Sequence, residues 1–136
     1  MKSGYNTNLA SEFYMLSMLH RLGADATLTL GNKKSVDIAV VRGAGNSVTI
    51  DVKGLAGNTS WPVDNIKKAK KGHFVVFVCF NGKIAEPLTI PEVWVVPSSQ
   101  VEKYTYHSPN GKRQVVPRST LRSKAAKYKN AWHLIA

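Results

Sequence analysis

The alternation of apolar and polar residues in the first part of the chain predicts one helix followed by three strands. Asn8 or Thr7 is suited to cap a helix that continues to about Leu22, because its side-chain oxygen can accept a free backbone amide hydrogen. Gly23 is suited to end that helix. Three alternating or almost wholly apolar segments follow, with a glycine turn between the last two, and they predict a meander. These segments are residues 24–30, 36–41 and 48–53.

The rest of the chain predicts a short helix, two strands, a hairpin and a final helix. Pro62 fits the first turn of a helix, where its missing amide hydrogen leaves no bond unmade. Residues 73–80 are apolar on both faces, which predicts a central strand that runs parallel to a neighbour. Residues 93–96 predict a further strand, residues 104–116 a hairpin, and Ser119 the cap of a basic helix.

The length of 136 residues suits one domain with one core. We expect an α/β domain over residues 1–136, in which helices flank a mixed β-sheet in the order α-β-β-β-α-β. Its core is expected over residues 4–97, with the hairpin and the basic helix over residues 98–136.

The charge balance gives the first indication of function. The chain carries 19 Lys and Arg against 8 Asp and Glu, a formal net charge of +11, which predicts a nucleic-acid partner because neutralised phosphates release counterions. No apolar run is long enough to cross a bilayer, and the N-terminus lacks the apolar centre of a signal peptide, so we expect a cytoplasmic protein without membrane contact. The one cysteine, Cys79, excludes an internal disulfide and a multi-cysteine zinc site.

One of the few acidic residues, Glu12, falls on an apolar face of the first predicted helix. A helical wheel places it between Leu16 and Leu19, on the face that also carries Leu9 and Phe13. A carboxylate there costs several kcal/mol unless a cation or hydrogen bonds meet it. The alternative is that the helix dipole and nearby water satisfy Glu12, since it lies towards the N-terminal end.

Two further acids fall on the second and third predicted strands. Asp37 opens one strand, and Asp51 and Lys53 project from the same face of the next, about 7 Å apart along the chain. Taken alone, Asp51 and Lys53 fit the polar face of a half-exposed strand. A short glycine turn joins the two strands, so Asp37 can approach Asp51, and two close carboxylates stay ionised only with a cation between them. Oxygen ligands suit Mg²⁺ or Mn²⁺, and a nearby ammonium can orient a water molecule.

Residues 4–80 resemble the core of the PD-(D/E)xK nuclease superfamily, which includes restriction endonucleases, Holliday junction resolvases and some homing endonucleases. The likeness rests on a helix with Glu12, then Asp37, then Asp51-Val52-Lys53, then a helix and an apolar strand. It implies a restriction-endonuclease-like fold. The chain also resembles small bacterial proteins that share its Asp-Val-Lys-Gly-Leu segment and have no assigned substrate.

The resemblance also implies roles for these residues. Asp37, Asp51 and the backbone carbonyl of Val52 would bind Mg²⁺ or Mn²⁺, and Glu12 would hold metal through water or bind a second ion. Lys53 would position the attacking water and stabilise the developing charge. The chain departs from the family pattern in having valine in place of the proline before Asp37, and aspartate at 51 where glutamate is more frequent.

Basic and aromatic side chains outside this motif are candidates for gripping nucleic acid. The basic ones are expected to contact phosphates without reading sequence, and the tryptophan to stack on a base or to wedge a duplex. The alternatives are a solvated turn or helix face for the basic residues and a place in the core for the tryptophan. The candidates are Lys33, Lys34, Trp61, Lys67, Lys68, Arg118 and Arg122.

We therefore expect a metal-dependent endonuclease that hydrolyses phosphodiester bonds in DNA, directed by DNA structure and working as a homodimer. The alternative is a catalytically inactive nucleic-acid-binding module on the same fold, in which Asp51 and Lys53 form a structural ion pair. A more distant alternative is a metal-free ribonuclease that uses two of the histidines.

Overall fold

A computed structural model describes residues 3–29, 37–64 and 69–136. The chain forms helix α1 and three strands, then a short strand and two long ones, and finally a hairpin and helix α2. The bounds are α1 Ser3–Arg21, β1 Asp25–Leu28, β2 Ile38–Val41, β3 Ser47–Leu55, β4 Ser60–Pro62, β5 His73–Cys79, β6 Glu92–Pro97, β7 Tyr106–His107, β8 Gln114–Pro117 and α2 Arg118–Lys124.

Five of the described strands form one mixed sheet in the order β1-β2-β3-β5-β6. Strands β3 and β5 pair in parallel, with Lys53 beside Phe77, and the other neighbours are antiparallel. The predicted α/β class with a mixed sheet is confirmed, as is the parallel pairing of the apolar strand at residues 73–79. That strand lies inside the sheet and has both faces covered, which explains its nearly continuous apolar sequence.

Each face of this sheet carries its own core, because side chains alternate along every strand. Alternate residues of β3 and β5 pack on one side with α1, among them Ile50, Val52 and Val76. On the other side, Val75 and Phe77 pack against Trp61 and the segments that follow it. A second sheet of described strands, in the order β4-β8-β7, contributes to that second core.

Helix α1 presents a different face to the sheet from the predicted one. Thr7, Ser11, Met15 and Leu19 are buried against it, whereas Phe13 is 54% exposed. The prediction that Phe13 faces the core is therefore wrong, and small side chains replace it because the helix and β3 approach closely. The helix also begins at Ser3, not beside Thr7, although Gly23 follows its end with φ +83° as expected.

Two other predicted elements also differ from the structure. Pro62 ends strand β4 and does not begin a helix, because Pro62 pairs with Val115 and Trp61 with Val116 in the second sheet. Helix α2 begins at Arg118 and ends at Lys124, without a side-chain cap from Ser119. Beyond Lys124 the chain continues in short 3₁₀ turns, so the basic C-terminal segment forms only a seven-residue helix.

Among the described residues, no helix combines the length and the apolar composition needed to cross a bilayer.

Candidate active site

The antiparallel pairing of β2 with β3 places Asp37 opposite Asp51. Ile38 pairs with Ile50, so the next pair along the ladder is Asp37 with Asp51. The Asp37 amide donates to the Ile50 carbonyl at 2.7 Å, and its Oδ2 accepts a hydrogen bond from the Val52 amide at 2.7 Å. Residues that face each other across a ladder place their side chains on one face as neighbours. The two carboxylates therefore lie together, as their spacing on either side of the glycine turn predicted.

The burial of the Asp51 carboxylate is not fully compensated by hydrogen bonds from the described residues. Its side chain is 4% exposed, and its Oδ2 accepts no hydrogen bond from the residues that the structure describes. Burial raises the pKa of Asp51 to about 7; the Lys53 ammonium opposes this rise and the Asp37 carboxyl adds to it. A proton or a cation is therefore needed to stabilise this site at neutral pH.

Lys53 lies on the same face as Asp51, two residues further along β3. Its Nζ is 3.7 Å from Oδ2 of Asp51, and its side chain is 22% exposed. The ammonium therefore both neighbours the buried carboxylate and reaches solvent. A molecule that approaches from solvent would meet Lys53 before it met Asp51.

Glu12 is brought to the site by the close docking of α1 on β3. A Cβ at Gly54 would collide with Oγ of Ser11 and lie 3.0 Å from the Thr7 carbonyl oxygen, so the absence of a side chain at Gly54 permits this approach. Burial raises the pKa of Glu12, and the negative charge of Asp37 raises it further. Glu12 is thus electrostatically coupled to Asp37, and on the surface of the helix it lies between Leu16 and the buried Leu19.

The backbone of Val52 completes the set of oxygen donors. In a strand the N–H and the C=O of one residue point to the same side, and the Val52 N–H points to Asp37. The Val52 carbonyl is therefore directed to the side of β3 on which Asp37 lies. This direction agrees with the role that the family resemblance implies for it.

The donor set fits a hard divalent cation. Within the described ranges, no three side chains of the His, Cys, Asp and Glu types form a metal-binding cluster. The available set is instead the Asp37 and Asp51 carboxylates with the Val52 carbonyl, and it includes the buried Oδ2 that lacks a hydrogen-bond donor. Mg²⁺ is commonly held by one or two carboxylates and retains several waters, so this small set of oxygens is compatible with it.

Trp61 does not lie where the nucleic-acid hypothesis placed it. Its side chain is 0% exposed, its ring packs edge-on against Phe77 and Trp94, and its indole N–H donates to the Val78 carbonyl at 3.1 Å. The prediction that it contacts a base is therefore wrong, and the core alternative is confirmed. An apolar ring with a single donor is satisfied in this core once that donor has a partner.

The predicted basic contacts have three different outcomes. Arg118 donates from Nε to Oε1 of Glu92 at 2.8 Å, and its side chain is 17% exposed, so it is paired with an acid and lies largely out of solvent. Arg122 is exposed on α2 and stays a prediction. Lys33, Lys34, Lys67 and Lys68 lie outside the described residues.

Two residues that support the site were not singled out from the sequence. Gly54 and Ser11 set the distance between α1 and β3, and thereby the place of Glu12. The predicted strand ends at Lys53 and leaves Gly54 in a loop, whereas β3 continues to Leu55 and so includes this glycine, whose lack of a side chain permits the close approach.

Comparisons of the chain with protein-family models, with curated proteins and with solved structures returned no match.

Proposed function

We propose that this chain is a metal-dependent endonuclease that hydrolyses phosphodiester bonds in DNA, built on a restriction-endonuclease-like core of the PD-(D/E)xK type. The observation that carries the proposal is the convergence of Asp37, Asp51 and Lys53 on one face of β2 and β3. Oδ2 of Asp51 is buried without a hydrogen-bond donor among the described residues and lies 3.7 Å from the Lys53 ammonium. Metal-assisted hydrolysis of a phosphodiester uses this combination of oxygen ligands and a positioned cation.

Asp37, Asp51 and the Val52 carbonyl would hold the ion, with Glu12 acting through water. A bound Mg²⁺ or Mn²⁺ would supply positive charge that polarises the phosphodiester and acidifies a water molecule. The Val52 amide fixes Asp37 by its hydrogen bond at 2.7 Å, so one ligand is oriented before any ion arrives. The buried Asp51 carboxylate gains more from a cation than an exposed one would, because water does not screen it.

The roles of the remaining residues follow from their exposure. Lys53 reaches solvent beside the buried carboxylate, where it would hold the attacking water and stabilise negative charge that develops on the phosphate. Glu12 would accept hydrogen bonds from water at the rim of the site. Its raised pKa brings its proton affinity closer to neutral pH, which suits a group that accepts a proton.

DNA is the proposed substrate because the net charge of +11 favours a polyanion. Exposed basic side chains such as Arg122 would contact phosphates and position the duplex without reading its sequence. Cleavage is proposed to follow DNA structure, because contacts to phosphates carry no sequence information. A homodimer would bring two sites to two strands, and the cytoplasm is the proposed location.

A cleavage screen with matched variants tests this proposal. Labelled four-way junctions, flaps, nicked and intact plasmids and single strands would be incubated with Mg²⁺, Mn²⁺ or EDTA. We expect metal-dependent cleavage that falls by about 100-fold or more in Asp51→Asn and in Lys53→Ala. Asp25→Asn and Lys103→Ala remove the same charges from exposed positions and should cleave like the original chain. Equal cleavage by Lys53→Ala would overturn the proposal.

A catalytically inactive nucleic-acid-binding module is the second candidate. It is favoured by the ion pair between Lys53 and Asp51, because these two groups already compensate each other in part. DNA binding without cleavage in either metal, and without any Mn²⁺ binding that Asp51→Asn abolishes, would establish this module in place of the enzyme.

A further inference from the structure

The loop over residues 80–91 carries two apolar side chains almost wholly in solvent. Leu88 is 98% exposed and Ile90 is 81% exposed, whereas the other exposed large apolar residues of the described chain range from 51% to 66%. Full exposure of two neighbouring aliphatic side chains costs free energy that a contact with another molecule would recover. Leu88 and Ile90 are therefore the most exposed large apolar side chains of the described residues.

This loop is ordered by its own backbone. Three successive turns close with hydrogen bonds from Lys83 to Phe80, from Glu86 to Lys83 and from Thr89 to Glu86, at 2.9, 3.0 and 3.0 Å. Prolines at 87 and 91 fix two further backbone angles. Leu88 and Ile90 are therefore held outward by a rigid frame.

The base of the loop is anchored in a basic setting. The Asn81 side chain donates to Oε1 of Glu92 at 3.1 Å, and Arg118 donates to the same oxygen at 2.8 Å. Lys129 lies 3.4 Å from the other oxygen of Glu92. Two cations thus surround one acid at the point where the loop rejoins the sheet, and Lys83 is exposed within the loop.

The loop leaves the sheet at the end that lies nearest to Lys53. Leu55 pairs with Cys79 in the parallel ladder, and the loop begins directly after Cys79. Phe80 donates to the Leu55 carbonyl at 2.9 Å, and Asn81 donates to the Gly57 carbonyl at 3.1 Å. Lys53 is about 7 Å from Leu55 along the strand. A duplex engaged at Lys53 would therefore extend across the base of this loop.

We propose that Leu88 and Ile90 insert between stacked bases of the DNA held at the candidate site, at a nick, flap or junction. This inference rests on the proposed function and names its substrate class. Aliphatic side chains inserted at a base step unstack it and kink the duplex. Unstacking is cheapest where base pairing or the backbone is already interrupted, so a rigid apolar loop would favour DNA with a discontinuity over continuous duplex.

Charge favours nucleic acid over the other occupants of such a surface. The chain carries a net charge of +11, so a polyanion such as DNA is attracted to this surface. Lys83, which is exposed within the loop, would meet a phosphate beside the opened step.

The test uses 2-aminopurine, whose fluorescence rises when it is unstacked, placed beside a nick in a labelled duplex. Binding and fluorescence are measured in EDTA for the original chain and for Leu88→Ser/Ile90→Ser. The matched control, Leu22→Ser/Val41→Ser, removes two apolar side chains that are 51% and 55% exposed on other parts of the fold. Thermal unfolding and light scattering record the stability and the mass of each protein.

We expect the original chain and the control to bind the nicked duplex about tenfold more tightly than the continuous one and to raise the fluorescence. The Leu88→Ser/Ile90→Ser variant should bind the nicked and the continuous duplex equally. Its binding should not raise the 2-aminopurine fluorescence, and its unfolding midpoint should equal that of the original chain. The inference would be overturned if this variant kept the preference and the fluorescence rise of the original chain. It would also be overturned if the original chain were a dimer that these substitutions convert to monomers without any effect on DNA binding. Because no cleavage occurs in EDTA, failure of the endonuclease proposal would appear separately, in the cleavage screen.

Discussion

The ammonium nitrogen of Lys53 lies 3.7 Å from Oδ2 of Asp51, a buried carboxylate oxygen that accepts no hydrogen bond from the described residues. At that distance the pair attracts but does not share a hydrogen bond. Lys53 therefore compensates the desolvation of Asp51 only in part, which explains why the pKa of Asp51 is still raised to about 7. The site is poised to take up a proton or a further cation.

The first prediction concerns the pH dependence of stability in the metal-free protein. The folded chain keeps the Asp51 proton up to about pH 7, whereas the unfolded chain loses it near the ordinary value of 3.8. The folded state binds more protons in that window, so its free energy of unfolding falls as pH rises, by roughly 2–4 kcal/mol from this group. Urea unfolding in EDTA between pH 4 and pH 8.5 measures the change.

Asp51→Asn isolates the contribution of this carboxyl. The variant should lose that part of the pH dependence and be more stable than the original chain at pH 8, while Asp25→Asn should keep the original profile. Parallel profiles for the original chain and Asp51→Asn would show that Asp51 does not hold a proton in the folded state.

The second prediction concerns Mn²⁺ binding under the proposed function. A cation that binds Asp51 must displace its proton below about pH 7, so the affinity should rise between pH 6 and pH 8 with release of up to one proton. Calorimetry in buffers of different ionisation enthalpy measures both quantities. Asp37→Asn and Asp51→Asn should each weaken binding by about tenfold or more. Lys53→Ala should retain binding, because it removes a repelling ammonium.

Stability supplies an independent check on the same binding. Mn²⁺ at about 100 times its dissociation constant should stabilise the folded chain by about 2.7 kcal/mol. A shift of equal size in Asp51→Asn would place the ion elsewhere on the protein.

The third prediction concerns the contact between α1 and β3. Gly54→Ala places a methyl group against Oγ of Ser11 and 3.0 Å from the Thr7 carbonyl oxygen, so the helix must shift. We expect a loss of about 1–3 kcal/mol in unfolding free energy and lower cleavage, because Glu12 moves with the helix. Denaturant unfolding and the cleavage assay measure the two effects.

Two further variants test that explanation. Adding Ser11→Ala to Gly54→Ala should restore only part of the stability, since the Thr7 backbone stays in place. Gly57→Ala, where an added methyl group meets nothing within 4 Å, should leave both stability and cleavage unchanged. Full stability in Gly54→Ala would mean that the helix does not depend on this close approach.

The same contact shows why one face of α1 could not be predicted. Leu9, Phe13 and Leu16 do form an apolar stripe on the helix. Which face of the helix packs into the core, however, depends on how near the helix comes to the sheet. Small residues at Thr7 and Ser11 allow the helix to lie against Gly54, and no local pattern reports that distance. The β2–β3 pairing, by contrast, follows from a short connection and alternation, so the meeting of Asp37 and Asp51 was predictable.

Trp61 shows a second reason why part of the structure could not be predicted from the sequence, namely pairing with distant residues. A three-residue strand is stabilised by pairing with residues 115–117, more than fifty positions away, and sequence near Trp61 indicates only a polar loop. The proline beside it suggested the start of a helix, because proline favours that position as well as edge strands.

The fourth prediction distinguishes a structural role for Trp61 from a DNA-binding role for Arg122. Trp61→Phe keeps a ring in the core but removes the indole N–H that donates to the Val78 carbonyl, and it leaves a small void. We therefore expect a loss of about 1–3 kcal/mol in unfolding free energy with unchanged DNA affinity. Arg122→Ala should change stability by less than about 0.5 kcal/mol, weaken DNA binding at low salt and reduce the dependence of log affinity on log salt by about 1. Fluorescence anisotropy at several salt concentrations measures the affinities. Weaker DNA binding by a stably folded Trp61→Phe would show that the ring leaves the core in the complex, which the packing against Phe77 and Trp94 argues against.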